Sequence, residues 1–421
     1  MSILKNTTQK NTIAVLDGVR AFACLSVLFY HINYLAWHAH VFTSNVGPLT
    51  FSVAMVGWSG VTLFFVLSGF LLFMPYARAI LFDAPWPSMR VFYLRRMLRI
   101  IPGYYVSLFL LILLLNPQYL QPAHWGHVGL FLTFLMDSFH ETYQQINGPF
   151  WTLAVEWQFY MLLPFLALAF RFIARRGTRR KRLFLLLGCL GGLIIWGLLT
   201  RYWGRSFELH PDQPRLLPQP LHDAAMIVLY GVSGKYLEDF AVGMLVCVGF
   251  ILSQHPATRQ RITATLGRYS PWLWRIGVLW LFFLTIWNNF PFAPLLDPFI
   301  GAHNWLVELA FASGFGLCIT AILFGPTELK KPFAWGPARW IGLISYSLYI
   351  WHLPILVSFT NYIVPLLQGW QHSWIYGLYF LCAALVVIPF SYLFFRYVEM
   401  PGINLANKTR RKQVVVEKQA A

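Results

Sequence analysis

The chemistry of this chain starts in one stretch, Leu16–His31, which reads LDGVRAFACLSVLFYH. It is apolar enough to enter a membrane, yet it carries Asp17, Arg20 and His31. At 100° per helical residue, Arg20 and His31 project within about 20° of one another and stand roughly 16 Å apart along the axis. Asp17 lies about 40° to the other side of that line. Three ionisable groups therefore share one face of a helix whose other faces are greasy. Burying a charge in hydrocarbon costs at least about 2.5–3.5 kcal/mol, so such groups mark functional sites by default. An imidazole with a pKa near about 6.5 suits proton removal from a hydroxyl, and it can also carry an acyl group itself. The competing reading is a structural Asp17–Arg20 ion pair beside a hydrogen-bonded core histidine.

Three further clusters could do chemistry. In RRMLRIIP, Arg95–Pro102, a helix sets Arg95 and Arg99 one turn apart with Arg96 alongside. That compact cationic patch suits phosphate groups, and it would serve equally as an anchor to lipid head groups. In GPFWTLAVEWQFYMLLP, Gly148–Pro164, Glu156 falls about one and a half turns inside an apolar segment. A carboxylate there needs a partner, or it stays protonated. A structural hydrogen bond through Glu156 or Gln158 is the alternative, with Trp151 and its aromatic neighbours as packing or interface belt. In ISYSLYIWHLP, Ile344–Pro354, Ser345 and His352 project about 20° apart with Tyr349 on nearly the same side. That polar stripe fits a pathway, a site or packing.

The elements that must position these residues are membrane spans. Of the 421 residues 58% are hydrophobic and 11% charged, which excludes a soluble domain. The net charge of +17 resides in short connections between apolar runs, a topology signal rather than a nucleic-acid-binding stripe. The five cysteines lie in apolar segments without CxxC spacing, so neither a disulfide framework nor a zinc site is indicated. The predicted fold is all-α: a polytopic helical bundle of about ten transmembrane helices plus a re-entrant or interfacial segment at 127–140. The spans fall at about 13–36, 54–75, 100–115, 150–170, 183–200, 236–253, 273–290, 304–324, 341–365 and 374–396. Basic loops at 76–99 and 171–182, and basic residues at Arg259, Arg261, Arg268, Lys330, Lys331 and Arg339, then all fall on the cytoplasmic side, as do both termini. Gly57, Gly60 and Gly69 allow close helix contact in the second span. On this topology His31 and Glu156 lie in the outer half and the arginine cluster inside. A phosphate-bearing molecule would sit at the cytoplasmic face, its reactive arm reaching toward the histidine.

These stretches resemble the membrane acyltransferase-3 family, whose members acylate sugars and other hydroxylated acceptors using acyl-CoA. The resemblance rests on LDGVRAFACLSVLFYH, FFVLSGFLL, RRMLR before a proline, WTLAVEWQFYMLLP and SYSLYIWHLP, in the family's order over nearly the whole chain. It implies that His31 is the catalytic histidine, that Arg20 completes its motif, and that Arg95, Arg96 and Arg99 hold coenzyme A. Glu156 falls in a WSLxVEEQFY-like motif, where Thr152 replaces the usual serine and Trp157 the second glutamate.

The expectation is then a cell-membrane O-acyltransferase, with acetyl-CoA the favoured donor and a glycan, glycolipid or similar hydroxyl as acceptor. Its catalytic residues would be His31, Glu156 and Asp17; Arg20, Arg95, Arg96 and Arg99 would bind the donor, and Trp151, Ser345, Tyr349 and His352 the acceptor. No metal, permanently bound cofactor or nucleic acid is expected; partners would be the bilayer and glycan-assembly proteins. The domain would run 13–397, between cytoplasmic tails 1–12 and 398–421, so any second transfer step would need another protein. A transporter or flippase would explain buried charges equally well.

Overall fold

In a computed structural model, described over residues 13–42, 46–175, 177–215, 217–289 and 303–408, ten helices are long and apolar enough to cross a membrane. They are α1 (Ala14–His38), α2 (Gly60–Phe82), α3 (Met89–Leu115), α4 (Phe150–Ala174), α5 (Arg179–Leu209), α6 (Leu237–Gln254), α7 (Pro256–Asn289), α8 (Val307–Phe324), α9 (Gly336–Ser358) and α10 (His372–Lys408). Among the described residues there is no strand. The helices exceed the predicted spans because a hydropathy window stops at the first arginines, whereas helical hydrogen bonding does not. Ser88 caps α3, its hydroxyl accepting from the Val91 N–H. Arg95, Arg96 and Arg99 are therefore inside α3, not in a loop before it. Arg259, Arg261 and Arg268 likewise lie inside α7, and Arg171 inside α4. α10 runs on to Lys408, into the stretch read as tail; the tail at 1–12 lies outside the described residues.

The chain divides into two compact units, one formed by Met1–Met74, Glu238–Tyr349 and Phe359–Phe380, the other by Pro75–Leu237, Ile350–Ser358 and Leu381–Ala421. In the first, glycines let backbones meet. A Cβ on Gly69 of α2 would collide with the Phe240 backbone of α6, and one on Gly243 of α6 with the Val66 backbone of α2. Gly57 and Gly60 abut Ser26 and Ala23 of α1 in the same way, as small residues do at membrane helix crossings.

In the second unit the apolar run at 127–140 does not span. It forms a short helix, Trp125–Leu132, and a 3₁₀ turn, Met136–Ser138. Its backbone is satisfied by protein: Tyr104 and Tyr105 hydroxyls donate to the Phe131 and Leu132 carbonyls at 2.9 and 2.7 Å, and Gln158 Nε2 to Phe134 O at 2.9 Å. Non-helical backbone at membrane depth is tolerated where protein supplies such partners. Aromatic and basic side chains pair at the α2–α3 and α4–α5 connections, with Arg171 over Trp86, Arg179 over Phe82, and Arg182 bonded to Asp83 at 2.6 Å.

Candidate functional site

The first unit holds the histidine. On α1, His31 Nδ1 lies 2.9 Å from Val27 O, one turn back. A carbonyl oxygen only accepts, so Nδ1 carries the ring proton and Nε2 keeps its lone pair. In that tautomer any base function of the ring falls to Nε2. Toward the start of α1, Arg20 Nη1 stands 3.6 Å from Asp17 Oδ1, an i,i+3 ion pair. The turn beneath it is clamped: a Cβ on Gly18 would strike the Phe333 backbone, and one on Gly342 of α9 the Asp17 backbone.

Two residues of the predicted stripe on α9 lie in this unit. Ser345 and Tyr349 are buried, the Ser345 carbonyl accepting the Cys24 thiol at 3.5 Å and the Tyr349 ring meeting Phe64 edge-on at 5.7 Å. Both therefore help to seat α9 against the helices next to it. A pair not anticipated from sequence joins Thr62 Oγ1 to Glu308 Oε2 at 2.6 Å, linking α2 to α8.

The second unit holds the arginine cluster. Arg96 projects over the ring of Tyr160, its guanidinium carbon 5.9 Å from the centroid, and the Tyr160 hydroxyl donates to Glu156 Oε2 at 2.9 Å. Tyr93 OH reaches Met161 O at 2.9 Å, fixing α3 against α4 at the same level. The topology reading put Glu156 and the arginines in opposite halves of the membrane. The structure gathers Glu156 and Arg96 around one tyrosine, because Arg96 sits turns inside α3 rather than at its end. His352 is buried here, and Asn147 Nδ2 anchors its segment by donating to Ile350 O at 2.8 Å. Trp151 lies between the rings of Tyr143 and Tyr236, at 5.7 and 5.5 Å.

The same unit contains a polar cluster that sequence reading missed. Asp137, 1% exposed, accepts from Lys235 Nζ at 2.5 Å on Oδ2 and from Gln158 Nε2 at 2.7 Å on Oδ1. Lys235 Nζ also donates to Ser138 Oγ at 3.0 Å. Asp137 signalled only that its segment does not span; its partner lies 98 residues on, beyond the reach of any local spacing. Nearby, Arg201 Nη1 donates to Ser233 O at 3.0 Å and its guanidinium stacks on Tyr236 at 4.3 Å. Tyr230 donates to Glu208 at 2.9 Å; burial, then Glu208, pushes that phenol up from its ordinary pKa. Among the described residues no three His, Cys, Asp or Glu side chains converge as a metal site would require.

Comparison with known proteins gives these residues a context. The chain is 24% identical to the peptidoglycan O-acetyltransferase OatA of Listeria monocytogenes over 94% of this chain and 57% of that protein. It is 24% identical to the O-acetyltransferase OatA of Staphylococcus aureus over 92% of this chain and 56% of that one. The chain thus spans about half the length of the curated relatives it matches. No solved structure matches it. The model of an acyltransferase domain matches residues 13–396, taking in His31, the α3 arginines, Glu156 and the α9 stripe together. By that match the chain belongs to the acyltransferase-3 family of membrane enzymes.

Proposed function

We propose that the protein moves an acetyl group from acetyl-CoA to a hydroxyl of a cell-envelope glycan, with His31 as general base. The observation that carries this is the 2.9 Å bond from His31 Nδ1–H to Val27 O, which places the ring proton on Nδ1. The acceptor hydroxyl gives its proton to Nε2 as its oxygen attacks the thioester carbonyl. The tetrahedral adduct collapses, the C–S bond breaks, and the leaving thiolate of coenzyme A takes the proton back from the imidazolium. Atoms and charge balance without a further reactant. The Asp17–Arg20 pair holds the start of α1, and Arg95, Arg96 and Arg99 bind the donor's phosphates as charge-assisted hydrogen bonds do.

The glycan acceptor rests on the relatives' names, two O-acetyltransferases of which one is named for peptidoglycan. Cytoplasmic termini rest on the basic residues, which cluster where α2 meets α3, α4 meets α5, α6 meets α7 and α8 meets α9. Glu156, through Tyr160, would steady the ring under Arg96 rather than meet the acceptor. The test uses sealed membrane vesicles of both orientations and acetyl-labelled acetyl-CoA added outside. Label should enter glycan only in inside-out vesicles, and not when His31 is replaced by Ala. Label entering from the other side, or equal label without His31, overturns the proposal.

A further inference from the structure

The C-terminal half of α1 carries a ridge of rings that the acyl-transfer reading leaves unused. Tyr30, Tyr34 and His38 recur at every fourth residue and span about 12 Å of helix. Their rings touch in series. The Tyr30 and Tyr34 centroids stand 5.7 Å apart and those of Tyr34 and His38 4.3 Å apart, while Tyr30 meets the His31 ring edge-on at 4.9 Å. His31 and His38, seven residues apart, project within about 20° of one another and stand about 10 Å apart along the axis.

The side of α1 that meets lipid is elsewhere. Phe22, Leu25 and Phe29 are 53%, 40% and 36% exposed, and they fall in one sector about 60° wide. The centre of the ridge projects about 150° from the centre of that sector. The apolar sector faces hydrocarbon, whereas the ridge shares its face with Arg20 and His31 and looks into the bundle. Nearer the start of α1, neighbouring helices close on this inner face from both sides. Gly60 of α2 abuts Ala23 on one flank, and on the other the Ser345 carbonyl of α9 takes the Cys24 thiol. Farther along, Tyr34 is 38% exposed and His38 is exposed as well, so the inner face opens toward the His38 end. No described residue hydrogen-bonds the Tyr30 or the Tyr34 hydroxyl.

We propose that this ridge is the acceptor subsite, where a pyranose ring of the glycan lies with its C–H face on Tyr34. Its hydroxyls then bond the Tyr30 and Tyr34 phenols and the His38 imidazole. The inference rests on the reading of His31 as base for a glycan hydroxyl and of the termini as cytoplasmic. On that topology the His38 end of α1 is the outer end, where an envelope glycan approaches, and His31 lies about 10 Å below it. The acceptor has to descend that distance, and the ridge is the surface of α1 that runs along it. Its chemistry suits a sugar. A tyrosine offers a flat apolar ring with a polar handle at its edge, and a pyranose offers C–H groups on its faces and hydroxyls around its rim. A lipid chain would use the flat rings and leave the phenols unbonded in a site shut off from water, which is unfavourable. Because Tyr30 touches His31, a sugar seated on the ridge has its rim beside the imidazole.

The test measures binding rather than turnover, so it reads the subsite apart from acyl transfer. The full chain in detergent is titrated calorimetrically, without donor, with a soluble tetrasaccharide of alternating N-acetylglucosamine and N-acetylmuramic acid. Tyr34→Ala should weaken binding roughly tenfold or more, as loss of a central aromatic anchor does. Tyr34→Phe keeps the ring and should lose only a few-fold, the equivalent of one neutral hydrogen bond. His38→Ala should also weaken binding, and Phe22→Ala in the lipid-facing sector should not. Monodisperse gel filtration shows that each variant folds. Binding by Tyr34→Ala that equals the parent's would make the ridge an interfacial aromatic belt and overturn the subsite. Absence of binding by the parent would overturn the sugar as its occupant. Ridge-dependent binding by a protein that transfers no acetyl group from acetyl-CoA would sustain the subsite and overturn the acyl-transfer proposal instead.

Discussion

Replacing Lys235 by Met should be among the most destabilising single changes in the second unit. The structure fixes the magnitude. Asp137 is 1% exposed, and Lys235 at 2.5 Å is the cation bonded to it. Removing the ammonium leaves Gln158 Nε2 at 2.7 Å and the weaker Ser138 hydroxyl at 3.4 Å. A buried pair broken on one side costs about 3–5 kcal/mol, because the surviving charge has no compensation. Asp137→Asn should cost less, since Lys235 is 12% exposed and its long stem lets the ammonium move toward water. The double variant, Lys235→Met with Asp137→Asn, leaves no stranded charge, so it should be more stable than Lys235→Met alone. Denaturant unfolding in detergent micelles, followed by the fluorescence of Trp151 and its neighbours, reads all four corners of the cycle. If Lys235→Met alters stability by less than about 1 kcal/mol, or the two losses simply add, the pair does not hold this segment.

Other substitutions probe the remaining contacts. Arg96→Ala should raise the KM for acyl-CoA roughly 10- to 100-fold, the equivalent of a lost charge-assisted bond, while leaving acceptor KM unchanged; equal effects on both return the cluster to lipid anchoring. Tyr160→Phe keeps the ring under Arg96 but loses the bond to Glu156, so donor KM should rise less than in Arg96→Ala, and Glu156→Gln should match Tyr160→Phe. Gly342→Ala drives a methyl into the Asp17 backbone and should cost about 1–3 kcal/mol in thermal unfolding, a change a surface alanine would not produce.

Much of this architecture is legible in the sequence because hydrophobic length is a physical necessity in a bilayer. The ten spans follow from it, and so does the failure of 127–140 to cross, since the basic residues after α4 would otherwise change sides. Gly57, Gly60 and Gly69 also read correctly, because the absent side chain permits only one thing at a helix crossing, close approach. Helix starts were not legible where arginines belong to the helix, as in α3 and α7. That error moved Arg96 away from Glu156 and hid Tyr160 as their shared neighbour. Long-range partners were out of reach for a different reason. Nothing near Asp137 in sequence indicates that Lys235 returns to it, and nothing around His31 indicates that Val27 O selects its tautomer.

That tautomer gives the most direct test. Purified protein in liposomes is mixed with acetyl-CoA and acceptor glycan, and release of free coenzyme A thiol is followed for the parent, His31→Gln and His31→Asn. Asn can still donate to Val27 O but lacks a basic nitrogen in the place of Nε2, and Gln offers an amide where the base should be. Both should therefore fold normally and lose roughly 10²–10⁴-fold in kcat, with KM for acetyl-CoA unchanged. Thiol release within a few-fold of the parent in either variant would contradict His31 as the base.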